Sequence, residues 1–250
     1  MNIHAVICTR DRNNVSPTTN KLVTFLCSCN IRVYILSDAK SIFLAYEGAF
    51  NKIDPNPEDI TIFCHDDIEI RENPEEFVFK LKEALSPPEM GFVGPAGTTH
   101  LTKSAVWWDQ TVWKQGKHRG EVHHLNKRIS NSPDNCWRGN PKVTAIKQTF
   151  IDITHYGPPG DVVVLDGLFL AAKRRVLDEV GLRKPKYFEG EWDFYDIHYT
   201  SQAFIQGFTN RVMNLNILHN SRGELVGRDS WHKNREAFIA NNDLPLEIKD

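Results

Sequence analysis

The segment ITIFCHDDIEI, residues 60–70, decides how this chain is read. Ile60, Ile62, Phe63 and Cys64 have the composition of a buried strand, and they run straight into His65-Asp66-Asp67. Adjacent carboxylates repel each other, and each costs on the order of several kcal/mol to desolvate unless a cation or donors compensate. The cluster either marks the strand's exit into water or holds a metal.

Working outward, strands and helices alternate on both sides. HAVICT reads as a strand, TNKLVTFLCSC has helical spacing, RVYILS is a strand and SIFLAYEGAFNKI is amphipathic. NPEEFVFKLKEALSPP reads as a helix with Asn73 as N-cap, Pro74 in its first turn and a double-proline stop. MGFVGPAG is a short strand into a glycine turn. This rhythm predicts an α/β fold with a mostly parallel central sheet flanked by helices. Ligands of such sheets bind beyond the carboxyl ends of the strands, where Thr9-Arg10, Asp38 and His65-Asp66-Asp67 all fall.

Residues 98–160 interrupt the pattern with a tryptophan-rich stretch, read as a loop-rich insertion. Regularity returns with DVVVLDGLFLAAKRRVLDEVGL, a strand, a turn and a helix closed by Gly181. YFEGEWDFYDIHYTSQAFIQGF is a helix with an acidic entrance, and RVMNLNILHN reads as a strand. Ser230 is placed as N-cap of a surface helix, WHKNREAFIANN, in a C-terminal helical tail over 224–250. No linker divides the chain, so residues 1–250 are expected to form a single domain.

Composition narrows the function. The 250 residues are 40% hydrophobic and 25% charged, as in a soluble globular protein. With a net charge of −2 there is no broad field for nucleic acid or an anionic membrane. No apolar run approaches the ~18 residues of a membrane span. The start MNIHAVICTRDR reads as a first strand rather than a signal peptide. The five cysteines show no CxxC spacing; with Cys8 and Cys64 in strand-like runs they read as reduced thiols, and the expected location is cytoplasmic.

Each polar cluster has a plain reading beside a functional one. Asp38 is either a helix N-cap or a contact for a ribose or base edge. Thr9 and Arg10 suit a nucleotide, although Arg10 equally suits an ion pair with Asp11. Glu189, Glu191, Asp193 and Asp196 favour a helix dipole, but Asp196 lies past the opening turn, where a partly desolvated carboxylate can serve as a general base. His219 ends a strand and is either structural or a metal ligand. Trp107 and Trp108 either pack in the core or stack on a sugar.

The order of these motifs resembles nucleotide-sugar-dependent glycosyltransferases of the GT-A fold, in particular the family 2-like group. The resemblance is carried by AVICTRDR, Asp38, CHDD, VLDGLFLAAKRRVLDEVG, FYDIHYTSQAFIQGF and ILHNSRG, over roughly residues 3 to 223. It implies transfer of a sugar, a hexose, from a nucleoside-diphosphate carrier such as a UDP-sugar to a glycan or other hydroxyl acceptor, with inversion. It also implies Mn²⁺ or Mg²⁺ as cofactor. By position, Asp67, His219 and His65 would hold the metal; Thr9, Arg10, Asp38 and Asp66 the donor nucleotide. Asp166, Gly167, Trp107, Trp108 and Asp193 would serve the acceptor or donor sugar, and Asp196 would be the base. Two positions depart from the pattern: His65 stands where the first metal-motif acid is expected, and Tyr195 replaces the glutamate before Asp196, which leaves Asp193 as a rival base.

Two other readings remain at this point. A nucleotidyltransferase would want a glycine- and basic-rich phosphate loop where CTRDRNNVSPT has no glycine, and a phosphohydrolase would draw more metal ligands from the strand ends. A non-catalytic nucleotide- or sugar-binding module of the same fold fits the two departures.

Overall fold

Thr9, Ser37 and His65 finish three parallel strands at one edge of a sheet. These are β1 (Ile3–Thr9), β2 (Arg32–Ser37) and β3 (Ile60–His65), paired so that Thr9 lies opposite Ser37 and Cys8 opposite His65. The computed structural model describes residues 1–9, 16–131, 145–220 and 229–248. Arg10, Cys136 and Trp137 lie outside the described residues.

The expected crossovers are present as α1 (Pro17–Ser28) and α2 (Ile42–Phe50), followed by β4 (Ile68–Ile70), α3 (Pro74–Ala84) and β5 (Met90–Gly94). Their starts follow from local chemistry. Ser16 Oγ accepts from the Thr19 amide at 3.0 Å, and Asn73 Oδ1 accepts from Glu75 and Glu76 at 2.9 and 3.3 Å, each with proline in the first turn. Phe43 and Tyr46 of α2 and Phe77 and Leu81 of α3 are buried, which anchors both helices to the sheet.

The interruption takes a more regular form than the sequence suggests. It contains β6 (Ala96–Thr98), β7 (His100–Leu101), α4 (Gln110–Trp113), β8 (His118–Asn131) and β9 (Ala145–Gly157). Strands β8 and β9 form a long antiparallel pair. Their ladder satisfies backbone groups that a loop would leave to water. The chain continues as β10 (Gly160–Val162), β11 (Val164–Leu165), β12 (Phe169–Lys173), α5 (Arg174–Val180), α6 (Tyr195–Ile205), β13 (Thr209–Val212), β14 (Ile217–His219), α7 (Asp229–Asn241) and β15 (Leu246–Glu247).

The central sheet has the order β10-β13-β5-β12-β3-β1-β2, with β12 antiparallel between β3 and β5 and β10 antiparallel to β13. A second sheet runs β11-β6-β8-β14-β4, with β9 joined to β8. The segment RVMNLNILHN, expected as one strand, is therefore two, and its halves belong to different sheets. That split has a consequence for the site. β14 pairs antiparallel with β4, placing His219 opposite Ile68, and the Asn220 amide donates to the Asp67 carbonyl at 2.8 Å. A histidine 152 positions downstream is thereby drawn onto the turn that follows β3.

Helix α7 is more than a surface helix. Trp231, Asn234 and Phe238 are buried. Asn234 accepts from the Gly190 amide at 2.8 Å and donates to the carbonyls of Gly190 and Asp193. Ser230 lies inside the helix rather than capping it, and its hydroxyl donates to Asp193 Oδ2 at 2.7 Å. Cys8 and Cys64 are buried free thiols, as expected, and Cys27 and Cys29 are also free. No helix among the described residues is long and apolar enough to cross a membrane.

Candidate active site

A cavity of about 380 Å³ opens beyond the carboxyl end of β3, and it is lined by His65, Asp66, Asp67, Asp166, Asp193 and Asp196 among others. Open α/β sheets bind ligands at this place. Trp108, Trp192 and Trp231 form part of its apolar wall.

On one side three potential metal ligands converge. His65, Asp67 and His219 each offer an atom within 4.8 Å of the others, and they are the one such group among the described residues. Asp67 Oδ1 lies 3.4 Å from His219 Nε2 and 3.8 Å from His65 Nδ1. These separations are too long for good hydrogen bonds, and Asp67 Oδ1 is buried without a hydrogen-bond partner. A buried carboxylate oxygen facing two imidazole nitrogens fits a divalent cation, which would supply the missing interaction. Burial pulls the His65 imidazole below its ordinary value, favouring the neutral form a metal needs. Burial opposes ionisation of Asp67 as well, but the His219 and His65 imidazoles hold its carboxyl below the usual range.

On the other side lies Asp196, which stands in the first turn of α6 and not past it as the sequence suggested, because Phe194 breaks the chain direction and the helix starts only at Tyr195. Burial, reinforced by the Asp166 carboxylate, pushes its carboxyl up to about 7. A carboxylate poised there can take a proton near neutral pH. Asp193, its rival, is separated from it by Phe194 and Tyr195, and Phe194 adopts a left-handed φ of 67° before the helix starts. The bend turns Asp193 towards α7, where Oδ2 accepts a hydrogen bond from the Ser230 hydroxyl while Oδ1 is buried and unpartnered.

Gly167 joins the two sides. Its amide donates to Asp196 Oδ2 at 3.1 Å, and its carbonyl accepts from the Tyr195 hydroxyl at 2.9 Å. The same hydroxyl lies 2.8 Å from His65 Nε2. Burial holds the Tyr195 phenol well above its ordinary value, so it stays protonated. A Cβ on Gly167 would lie 2.4 Å from the Tyr195 hydroxyl and 2.8 Å from Asp196 Cβ. We therefore expect Gly167→Ala to displace both side chains and to cost about 1–3 kcal/mol through overpacking. Urea denaturation of the variant checks this, and unchanged stability would refute the contact.

The sequence expectations divide unevenly. His65, Asp66, Asp67, Asp166, Gly167, Asp193, Asp196 and Trp108 all line the cavity, and His219 meets Asp67 beside it. Trp107 does not: it is 3% exposed and packs edge-on against His118 and Tyr156, so the sugar-stacking reading fails for it. Asp38 is exposed and Thr9 buried, and neither is among the lining residues. Trp231 and the tie between Tyr195 and His65 are features the sequence reading missed. The co-occurrence of two departures from one motif pattern was the available clue to the second.

The glycosyltransferase-like family matches residues 21–241 of the chain. The streptomycin biosynthesis protein StrF of Streptomyces griseus is 32% identical over 87 residues, covering 34% of this chain and 29% of that protein. The match thus spans less than a third of that relative's length. Among solved structures, A197 from STIV is 14% identical with a TM-score of 0.45, covering 88% of this chain and 86% of that one. A structure of GalNAc-T7 with UDP, GalNAc and Mn2+ is 10% identical with a TM-score of 0.48, covering 90% of this chain and 44% of that one. With the family match extending over most of its length, from the first helix to the last, the chain belongs to the glycosyltransferase-like family.

Proposed function

We propose that this protein transfers a sugar, a hexose by resemblance, from a nucleoside-diphosphate donor to a hydroxyl acceptor, with a divalent metal and with inversion. The observation that carries the reading is Asp196: a carboxyl raised to about 7, in a cavity whose other side holds His65 and Asp67. The ionised carboxylate accepts the acceptor's hydroxyl proton as that oxygen attacks the anomeric carbon. The bond from this carbon to the diphosphate oxygen breaks, and its electron pair leaves with the nucleoside diphosphate. Attack opposite the leaving group inverts the anomeric centre.

His65, Asp67 and His219 would hold the metal, which supplies neutralisation of the charge developing on the leaving diphosphate. Two imidazoles with one carboxylate suit a transition metal such as Mn²⁺ better than Mg²⁺. By the resemblance alone, Thr9, Arg10, Asp38 and Asp66 are proposed for the nucleotide and uridine diphosphate as its carrier; of the three that lie among the described residues, Asp66 lines the cavity and Thr9 and Asp38 do not. For the acceptor we assign Trp108 as a stacking wall, with the free Asp193 Oδ1 as acceptor for a sugar hydroxyl; the cavity lining and that orphaned oxygen support this.

A thermal-shift panel of UDP, GDP, CDP and ADP, each with and without Mn²⁺, tests the donor assignment. A ligand at a hundred times its Kd stabilises by about 2.7 kcal/mol. We expect UDP to stabilise and Mn²⁺ to strengthen its effect. Silence across the panel, with folded protein, would refute the donor site and favour the non-catalytic reading.

A further inference from the structure

The two departures from the glycosyltransferase pattern touch each other. His65 stands in place of an acid in the metal motif, Tyr195 stands in place of an acid before the base, and Tyr195 Oη lies 2.8 Å from His65 Nε2 across 130 positions of chain. We propose that Tyr195 is a positioning residue that fixes His65 in the tautomer whose Nδ1 lone pair faces Asp67 and the metal. The proposal rests on the metal-site reading above and explains how a histidine can replace an acid there.

The hydrogen count decides the tautomer. The Tyr195 hydroxyl has one proton, and the Gly167 carbonyl, 2.9 Å away, can only accept it. The contact with His65 then requires Nε2 to donate. The opposite assignment would set the hydroxyl proton on Nε2 and leave the Gly167 carbonyl facing an oxygen that gives it nothing. With Nε2 protonated, Nδ1 is bare, and Nδ1 is the nitrogen 3.8 Å from Asp67 Oδ1. A ring nitrogen that donates to an outer partner while the other binds metal is the usual arrangement for a ligating histidine.

The relay is rigid. Tyr195 is 5% exposed, with its ring edge-on to Phe43 and Tyr46, and the hydrogen at Gly167 leaves just enough space for the hydroxyl. An acid ligand needs no such help, because either carboxylate oxygen can bind. A histidine does, since the wrong tautomer would aim an N–H at the cation.

Two measurements test the proposal. In metal-free wild-type protein, ¹⁵N NMR of the imidazoles should show His65 protonated at Nε2 and bare at Nδ1; protonation at Nδ1 instead would overturn the proposal without any variant. Titration with Mn²⁺ alone, followed by loss of the free-ion EPR signal, should show Tyr195→Phe raising Kd by about 10–100-fold, the range for removing an outer-shell partner of a ligand. Phenylalanine keeps the ring packing, so the two proteins should unfold as similar cooperative units. A wild-type protein that takes up no Mn²⁺ would overturn the metal-site reading itself. Mn²⁺ uptake that Tyr195→Phe leaves unchanged would overturn only the role of Tyr195. Turnover is not the readout, because the Gly167 peptide also contacts Asp196.

Discussion

Asp196→Asn should lower turnover by about 10²–10⁴-fold, the usual contribution of a positioned general base, while leaving nucleotide binding in place. Asparagine keeps the side-chain shape and can still accept from the Gly167 amide, so the loss would report chemistry rather than collapse. The pH profile gives an independent check. With its carboxyl raised to about 7, the base is protonated and idle in acid, and kcat/KM should climb as pH rises through that value. Stability runs the other way. A carboxyl whose pKa is raised on folding contributes stability that is full below its unfolded value near 4 and is lost as pH passes about 7. The Tm of Asp196→Asn relative to wild type should therefore rise between pH 5 and pH 8. Unchanged turnover would remove Asp196 as the base, and a flat profile around pH 7 would remove its raised carboxyl.

The choice between Asp196 and Asp193 as the candidate base was beyond reach of the sequence. The two stand three positions apart, which on a continuous helix would put both on one face. Phe194 breaks that relation by taking a left-handed conformation between them. The same limit applies to Trp107 and Trp108: both types suit a sugar platform, and only tertiary packing sends one into the core and the other to the cavity. By contrast, the helix and strand segments from β1 to β5 were legible, the short β4 apart. Caps such as Asn73-Pro74 and long apolar runs such as Ile60–Cys64 act over a few residues, and they prevail locally. Strand β8 was not, because its histidine- and charge-rich stretch is held by pairing with β9 and with the distant β14 rather than by its own pattern. The candidate metal cluster shows both cases. His65 and Asp67 were visible as a strand end, whereas the approach of His219 depends on the pairing of β14 with β4.

Asp67→Ala should abolish most of the metal dependence of nucleotide binding. Asp67 Oδ1 faces both imidazoles, so deleting the carboxylate removes the central donor of the three and leaves two neutral nitrogens for a doubly charged ion. The loss in Mn²⁺ affinity should exceed the roughly 10–100-fold expected of an outer-shell change. The fold should survive, since the link between the β3 turn and β14 runs through the Asp67 carbonyl and the Asn220 amide, which alanine retains. Loss of Mn²⁺-enhanced stabilisation by UDP, with the metal-free protein still folded, is the expected result. If Mn²⁺ enhancement persists in Asp67→Ala, the cation sits elsewhere and His65 and His219 serve some other purpose. Comparison with Asp196→Asn then separates the two halves of the cavity: one variant should bind donor and fail to turn over, and the other should fail at the metal-dependent binding step.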